Sequence, residues 1–210
     1  MTLLIDKYAS FGTPVDSAGF RTAFQDLWPS CQRRFLKLET LYDYIESDNK
    51  SWEAFKAGDL QQSRKVLRES LARSTPFRER VRLLGIDSHR VRPVRWPLTR
   101  YLDWEFLSYE ETIRHGQRIS LYPAELGIAT VGSEVSDFVL FDDYACLLQR
   151  YSVRGELEGA VLVKEKGIVQ ELAGIHTALA AKSLPFQDAV EFIADNTWQL
   201  REGAKGAGKG

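Results

Sequence analysis

Apolar residues three and four positions apart predict the helices of this chain. Phe20, Phe24 and Leu27 follow that spacing up to a proline, which is typical of a short amphipathic helix. The same spacing predicts further helices, of which the first would be capped by Asp48 and the third by Thr75. They are expected over residues 48–58, 60–72, 75–85, 97–116, 172–181 and 186–193.

Alternation of apolar and polar residues predicts the strands. Residues 89–96 would form a strand with one charged face, because Arg90 and Arg92 alternate with Val91. Pro93 favours a short strand or one near a sheet edge. Further strands are expected over 35–41, 118–122 and 138–141, with an antiparallel hairpin formed by 144–151 and 158–163.

The order of these elements predicts a single α/β domain that borders on α+β. Helices alternate with strands in the first part of the chain and strands cluster in the second, which favours a mixed sheet flanked by helices, with the hairpin and two helices towards the C-terminus. We expect residues 20–200 to form this domain. Residues 1–19 would be an N-terminal extension, 123–132 a loop and 201–210 a flexible tail rich in Gly and Lys.

Charge and composition narrow the class of protein. The 210 residues carry 28 Lys and Arg against 29 Asp and Glu, which excludes the strongly basic composition of a protein that coats nucleic acid. A hydrophobic fraction of 44% excludes wholesale disorder. The apolar run near Met1 is too short for a signal peptide, and no run approaches a membrane span. We therefore expect a cytoplasmic protein that binds no membrane and makes no direct contact with nucleic acid.

Residues that commonly catalyse reactions or bind cofactors form no recognisable motif. His89, His115 and His176 stand in no metal-binding or catalytic-triad pattern, and the glycines form no phosphate-binding loop. Cys31 and Cys146 lack CxxC spacing and are expected to be buried thiols. The sequence therefore predicts no catalytic residue, no metal and no cofactor.

Arginines are concentrated between Arg78 and Arg100, and guanidinium groups are well suited to phosphates and carboxylates. Either these arginines bind an anion, or they cover a solvated helix face and pair with carboxylates across the sheet. Asp137, Asp142 and Asp143 bracket the strand predicted over 138–141. They could mark a site at the end of that strand or begin its turns.

Motifs along most of the chain resemble those of an actinobacterial family of unknown function. They are KLET at 37–40, RVR at 90–92, PLTRY at 97–101, WE at 104–105 and DFVLFDD at 137–143. The resemblance extends from near Phe24 to near Phe192 and departs from the usual pattern at Lys37 and Val139. Members are typically encoded beside Xre-type helix-turn-helix regulators, so the resemblance implies a partnership with such a regulator.

A fainter similarity relates residues 137–152, an expected apolar strand, acidic turn and second strand, to a half-site of phospholipase D-type domains, whose signature is His-x-Lys-x-x-x-x-Asp. Asp142 takes the place of the aspartate, but Val135 and Asp137 stand where the histidine and lysine belong. Val135 cannot attack phosphorus in place of the histidine, and Asp137 cannot neutralise a phosphate in place of the lysine. The similarity therefore implies a degenerate site without phosphodiesterase chemistry.

Two functional hypotheses follow. The first is a non-enzymatic cytoplasmic accessory protein that works with a helix-turn-helix regulator, with exposed Arg90, Arg92 and Tyr101 as candidate contacts. The alternative is a sensor or enzyme for a small anionic ligand. In that case Arg90 and Arg92 would bind phosphate or carboxylate, while other motif residues orient the remainder of the ligand: Glu39, Glu105 and Asp137.

Both hypotheses make the same geometric prediction. The strands that carry the motifs should be sheet neighbours, so their polar residues should converge. Arg90 and Arg92 should point to one side of their strand and Val91 into the core. A concave surface with excess positive charge beside the two arginines would favour an anion, whereas carboxylate partners for both would make them structural.

Overall fold

A computed structural model describes residues 4–95, 97–123 and 135–191 of the chain. The helices are α1 (Leu4–Tyr8), α2 (Ser17–Leu27), α3 (Lys50–Lys56), α4 (Leu60–Arg73), α5 (Thr75–Leu84), α6 (Arg100–Ile113) and α7 (Lys166–Ala180). The strands are β1 (Thr13–Asp16), β2 (Arg34–Leu38), β3 (Asp87–Val94), β4 (Arg118–Pro123), β5 (Phe138–Phe141), β6 (Ala145–Tyr151), β7 (Leu157–Val163) and β8 (Leu184–Pro185). Residues 186–191 are also helical.

The strands of the described residues form one mixed sheet in the order β1-β7-β6-β5-β2-β3-β4-β8. Neighbours β2, β3 and β4 are parallel, because helices α3 to α6 provide the long connections that parallel strands require. The other pairs are antiparallel, and β6 and β7 form the predicted hairpin. The α/β class with a mixed sheet flanked by helices is therefore confirmed.

Each face of the sheet packs against helices, since side chains alternate along the strands. One face carries Leu38 and Val91 and is covered by α1 and α7; we call it the α7 face. The opposite face carries Phe35 and Phe141 against rings from α2 and α5, and we call it the aromatic face. The predicted amphipathic helix of Phe20, Phe24 and Leu27 is α2, whose apolar side lies here.

Two predicted helix caps are wrong by one residue. Asn49, rather than Asp48, caps α3 by accepting hydrogen bonds from two backbone N–H groups of the first turn. Asp48 has a φ of 59° and lies outside the helix. Ser74 precedes α5, and Thr75 is its first helical residue, with a hydroxyl that donates to the carbonyl of Ala72. In each pair, Asp48 with Asn49 and Ser74 with Thr75, both side chains are suited to capping. The sequence pattern alone therefore does not choose between them.

Strand β3 is not near a sheet edge, contrary to the expectation drawn from Pro93. It lies between β2 and β4 and runs for eight residues. Pro93 is the last residue but one of the strand, so the missing N–H group removes at most one hydrogen bond near the end of the ladder. The proline is therefore compatible with an interior strand.

The N-terminal segment is part of the sheet rather than an extension outside it. Strand β1 pairs with β7 along its whole length, and Ile5 and Tyr8 of α1 are buried in the α7-face core. Gly159 makes the close approach of β1 possible, because it has a φ of 154° and a Cβ there would overlap the carbonyl of Val15. The domain thus begins earlier than residue 20.

Two sequence predictions concern residues that are not described. The loop expected over 123–132 lies outside the described residues except for Pro123, as does the tail expected over 201–210. Within the described ranges, no helix has the length and apolar character needed to cross a membrane.

Candidate functional site

The motif residues of three strands meet beside the carboxyl ends of β2 and β3. Glu39 follows β2, Arg90 and Arg92 belong to β3, and Asp137 directly precedes β5, the antiparallel neighbour of β2. Helix α6 adds Glu105 from above the aromatic face. The carboxyl ends of parallel strands are where α/β folds most often place a ligand.

The two arginines lie on the same side of β3, as the alternation predicts, and Val91 points into the opposite core. Arg92 is fully buried, with Nη2 3.0 Å from Oε2 of Glu105 and Nη1 3.5 Å from Oε2 of Glu39. Nη1 of Arg90 lies 3.1 Å from Oε2 of Glu39 and 3.7 Å from Oε1 of Glu105. The predicted convergence is confirmed, and both guanidinium groups have carboxylate partners.

Lys37 completes this group, because its Nζ lies 2.5 Å from Oε1 of Glu39. We call Lys37, Glu39, Arg90, Arg92 and Glu105 the ion cluster. Burial alone would raise the pKa of Glu39, but Arg90 and Lys37 hold it well below its usual range. Burial raises the pKa of Glu105, with Arg92 opposing that rise. Even with both carboxylates ionised, three cations face two anions, and the cluster keeps one net positive charge.

Tyrosines surround the ion cluster. The guanidinium of Arg90 lies 5.1 Å from the ring centre of Tyr109, and that of Arg92 lies 5.0 Å from the ring centre of Tyr44. The hydroxyl of Tyr109 donates to Glu39 at 3.2 Å. Tyr109 follows Glu105 by one helical turn of α6, which brings both side chains to the same face. The four-residue spacing of Glu105 and Tyr109 is the sequence signal for this contact.

The expectation that Arg92 and Tyr101 are exposed contacts is wrong, whereas Arg90 is partly exposed and lines the cleft described below. Tyr101 is 4% exposed and Arg92 is 0% exposed. The ring of Tyr101 packs against Trp52 and Trp104 in the core between α3, α4 and α6, and its hydroxyl donates to Glu46 at 2.9 Å. The alternation along β3 turns both arginines towards α6 instead of solvent.

Asp137 lies beside the ion cluster and connects the ends of β2 and β5. Its carboxylate accepts hydrogen bonds from the Thr40 N–H at 2.7 Å, from the Thr40 hydroxyl at 2.6 Å and from the Tyr44 hydroxyl at 2.5 Å. Burial raises its pKa, and the hydrogen bonds from Thr40 and Tyr44 oppose that rise. These three hydrogen bonds hold the ends of β2 and β5 together at the edge of the cluster.

Asp142 lies at the other end of β5 and takes no part in the cluster. It accepts hydrogen bonds from three successive backbone N–H groups at 2.8 to 2.9 Å, those of Gln32, Arg33 and Arg34. Burial opposes ionisation, but these bonds lower the pKa of Asp142 below its usual value. With a φ of 46° it also forms the turn into β6, so the turn interpretation describes this residue.

A cleft between the helices and the sheet opens on the aromatic face. It has two parts, of about 560 Å³ and about 350 Å³, which share Lys37, Arg90 and Ser108. The larger, which we call the aromatic part, has an apolar lining that includes Phe24, Phe35, Phe77, Val81 and Val139. The smaller, the tyrosine part, is lined by Tyr44, Tyr101 and Tyr151 together with Glu39, Glu46 and Glu105. The ion cluster therefore borders an accessible space.

Several buried polar atoms at this cleft have no hydrogen-bond partner among the described residues. They are Nε of Arg90, Nε and Nη2 of Arg92, Oε2 of Glu105 and Oε1 of Gln149. The contact between Arg92 and Glu105 is close enough for an ion pair but lacks the alignment of a hydrogen bond. An unpaired buried polar group costs about 1–3 kcal/mol. Arg90, Glu105 and Gln149 also line the cleft.

The histidines contribute little to this site. His89 and His176 form an edge-to-face pair on the other side of the sheet, with ring centres 5.2 Å apart. His115 lines the aromatic part of the cleft. Within the described ranges, no three His, Cys, Asp or Glu side chains are grouped so as to hold a metal ion.

Comparison with known proteins relates the chain to a protein family. No curated protein matches the chain significantly. A family model with the description "Domain of unknown function (DUF6879)" matches residues 22–191. This range includes the ion cluster and all lining residues of the cleft except Phe20 and Arg21. The chain therefore belongs to the DUF6879 family of unknown function.

Proposed function

We propose that this protein is a non-enzymatic binding protein that takes a small molecule into the cleft of the aromatic face. One observation carries the proposal: an accessible cleft of ligand size borders a buried ion cluster whose polar atoms are incompletely paired. Small-molecule sites are commonly apolar concavities of 300–1,000 Å³, on the order of this one, with a few polar groups that orient the ligand.

The pairing within the ion cluster supports binding rather than catalysis. Glu39 is engaged by Lys37, Arg90 and Tyr109, and its lowered pKa makes it a weak base. Glu105 lies between the two arginines. A general acid or base must be free to exchange a proton with substrate, and these contacts favour a fixed charge pattern instead.

A screen with a blocked cleft tests the proposal. Ser108 lies on α6, lines both parts of the cleft and is half-buried, so Ser108→Trp places a large ring in the cleft without removing an ion pair. Ligands of the cleft should raise the melting temperature of the wild type by several degrees. We expect the same compounds to leave the melting temperature of Ser108→Trp unchanged. Differential scanning fluorimetry measures both shifts.

The matched control is Ser108→Ala, which keeps the cleft open and should retain every shift. The melting temperature of Ser108→Trp without ligand shows whether the fold is intact. Ligands that stabilise both variants equally would place binding elsewhere and contradict the proposal, as would a diverse millimolar screen in which the wild type responds to nothing.

The partnership with a helix-turn-helix regulator rests on the resemblance and stays a prediction. A ligand-binding accessory protein would fit it, because occupation of the cleft could change what the protein contacts. Co-expression with the regulator encoded nearest to its gene, followed by affinity purification, should retain the regulator at a defined stoichiometry. If the regulator is not retained when both proteins are present at micromolar concentrations, the partnership is contradicted.

A further inference from the structure

We propose that the ligand of the cleft is a small carboxylate with an apolar body, whose acidic group pairs with Lys37 and Arg90 and whose body lies on the phenylalanines of the aromatic part. This inference rests on the proposed function and adds the chemical class of the ligand. Two features carry it: the charges that line the aromatic part and its apolar surface.

The charges around the aromatic part have one sign. Arg21, Lys37, Arg78 and Arg90 line it, and no carboxylate does so among the described residues. Arg78 hydrogen-bonds only neutral groups, namely the Leu71 carbonyl and the hydroxyls of Ser74 and Thr75. Lys37 and Arg90 share Glu39 with Arg92. An anion would thus meet positive charge at the rim and on the floor of this part.

The charge balance of the ion cluster favours a monoanion. Three cations against two carboxylates leave one positive charge, which a single carboxylate neutralises. A phosphate dianion would bring a second negative charge close to the buried Glu39 and Glu105. Like charges within a few ångströms in a buried site disfavour each other strongly. A carboxylate therefore fits this floor better than a phosphate.

The surface beside these cations is apolar. Phe35 and Val139 of the sheet form the floor next to Lys37, and Phe77 and Val81 of α5 form a wall. These side chains already pack on the aromatic core, so a ligand on them meets a rigid surface. Each methylene group of a ligand that is buried on this surface would increase the affinity of the ligand.

Titration calorimetry with a set of eight-carbon probes tests the class of ligand. We expect octanoate to bind at least tenfold more tightly than 1-octanol, and octylammonium to show no measurable binding. From hexanoate to octanoate the affinity should rise roughly fourfold for each methylene. Octyl phosphate tests the charge balance and should bind more weakly than octanoate.

Variants at Lys37 test whether its positive charge binds the carboxylate. Lys37→Met should weaken octanoate binding at least tenfold and change 1-octanol binding less than twofold, whereas Lys37→Arg should restore most of the loss. Lys7→Met removes an exposed cation remote from the cleft and should leave both affinities unchanged. If Lys37→Met does not fold, Arg21→Glu at the exposed rim gives the same test, with an expected several-fold loss for octanoate alone.

The possible failures can be told apart. Octanol or octylammonium binding as tightly as octanoate, octyl phosphate binding more tightly, or an octanoate affinity that is unchanged in a folded Lys37→Met would each overturn the inference. If octanoate does not bind while other compounds stabilise the protein and lose their effect in Ser108→Trp, the inference fails and the proposed function stands. If no compound depends on Ser108, both fail.

Discussion

Replacement of Arg92 by methionine is expected to lower the free energy of unfolding by about 3–5 kcal/mol, since it leaves buried carboxylates without their counter-charge. Arg92 is 0% exposed and lies 3.0 Å from Glu105 and 3.5 Å from Glu39. Methionine fills much of the same volume, so the loss reports the charge rather than a cavity. Urea denaturation followed by circular dichroism measures it.

Two comparisons identify the cause of this loss. Arg92→Met combined with Glu105→Leu should recover much of the stability, because an apolar pair can replace a buried ion pair at little cost. Arg118→Met should cost less than about 1 kcal/mol, because Arg118 and Asp87 form an exposed pair. A loss of similar size in Arg92→Met and Arg118→Met would show that the buried pairs do not stabilise the fold.

Acidification from pH 7 to pH 4 is expected to remove several kcal/mol of stability through His89 and His176. Burial lowers the pKa of each to about 4, with Arg118 adding to the effect at His89 and His89 to that at His176. An unfolded histidine titrates near 6.5, so the unfolded chain takes up protons first as the pH falls. The contribution of these histidines is therefore complete above pH 6.5 and decreases down to pH 4, by on the order of 3 kcal/mol for each.

Unfolding midpoints in urea at pH 7, 6, 5 and 4 measure this dependence. The double variant His89→Gln with His176→Leu should flatten it over that range, because neither new side chain titrates. Carboxylates with lowered pKa, such as Glu39 and Asp142, contribute only as the pH falls below their ordinary values. An unchanged slope in the double variant would assign the acid sensitivity to other groups.

Local periodicity was sufficient to predict most of the architecture. The spacing of Phe20, Phe24 and Leu27 predicts α2, and the alternation at Arg90 and Arg92 predicts both β3 and the common direction of the two side chains. These features depend on neighbours within one turn or one strand, which the sequence records directly. The convergence of the motif residues followed from the order of the elements and from the motifs that they carry.

Properties that depend on distant contacts were not predictable in this way. β1 is too short and too exposed to show an alternating pattern, and its place at the edge depends on β7. The role of Asp142 depends on backbone N–H groups about 110 residues earlier in the chain. Similarly, Lys37 was noted only as a departure from a motif, because its position between a cleft and the ion cluster exists only in the folded sheet.

The ion cluster also bears on the order of events in folding. Glu39 and Arg90 are 51 residues apart, and Thr40 and Asp137, at the edge of the cluster, are 97 residues apart. Such contacts close large loops, and desolvation of the charges is favourable only once their partners are in place. We therefore expect the cluster to form after the folding barrier. Its contribution to stability would then act mainly by slowing unfolding, and the lifetime of the native state would depend on it more than the folding rate does.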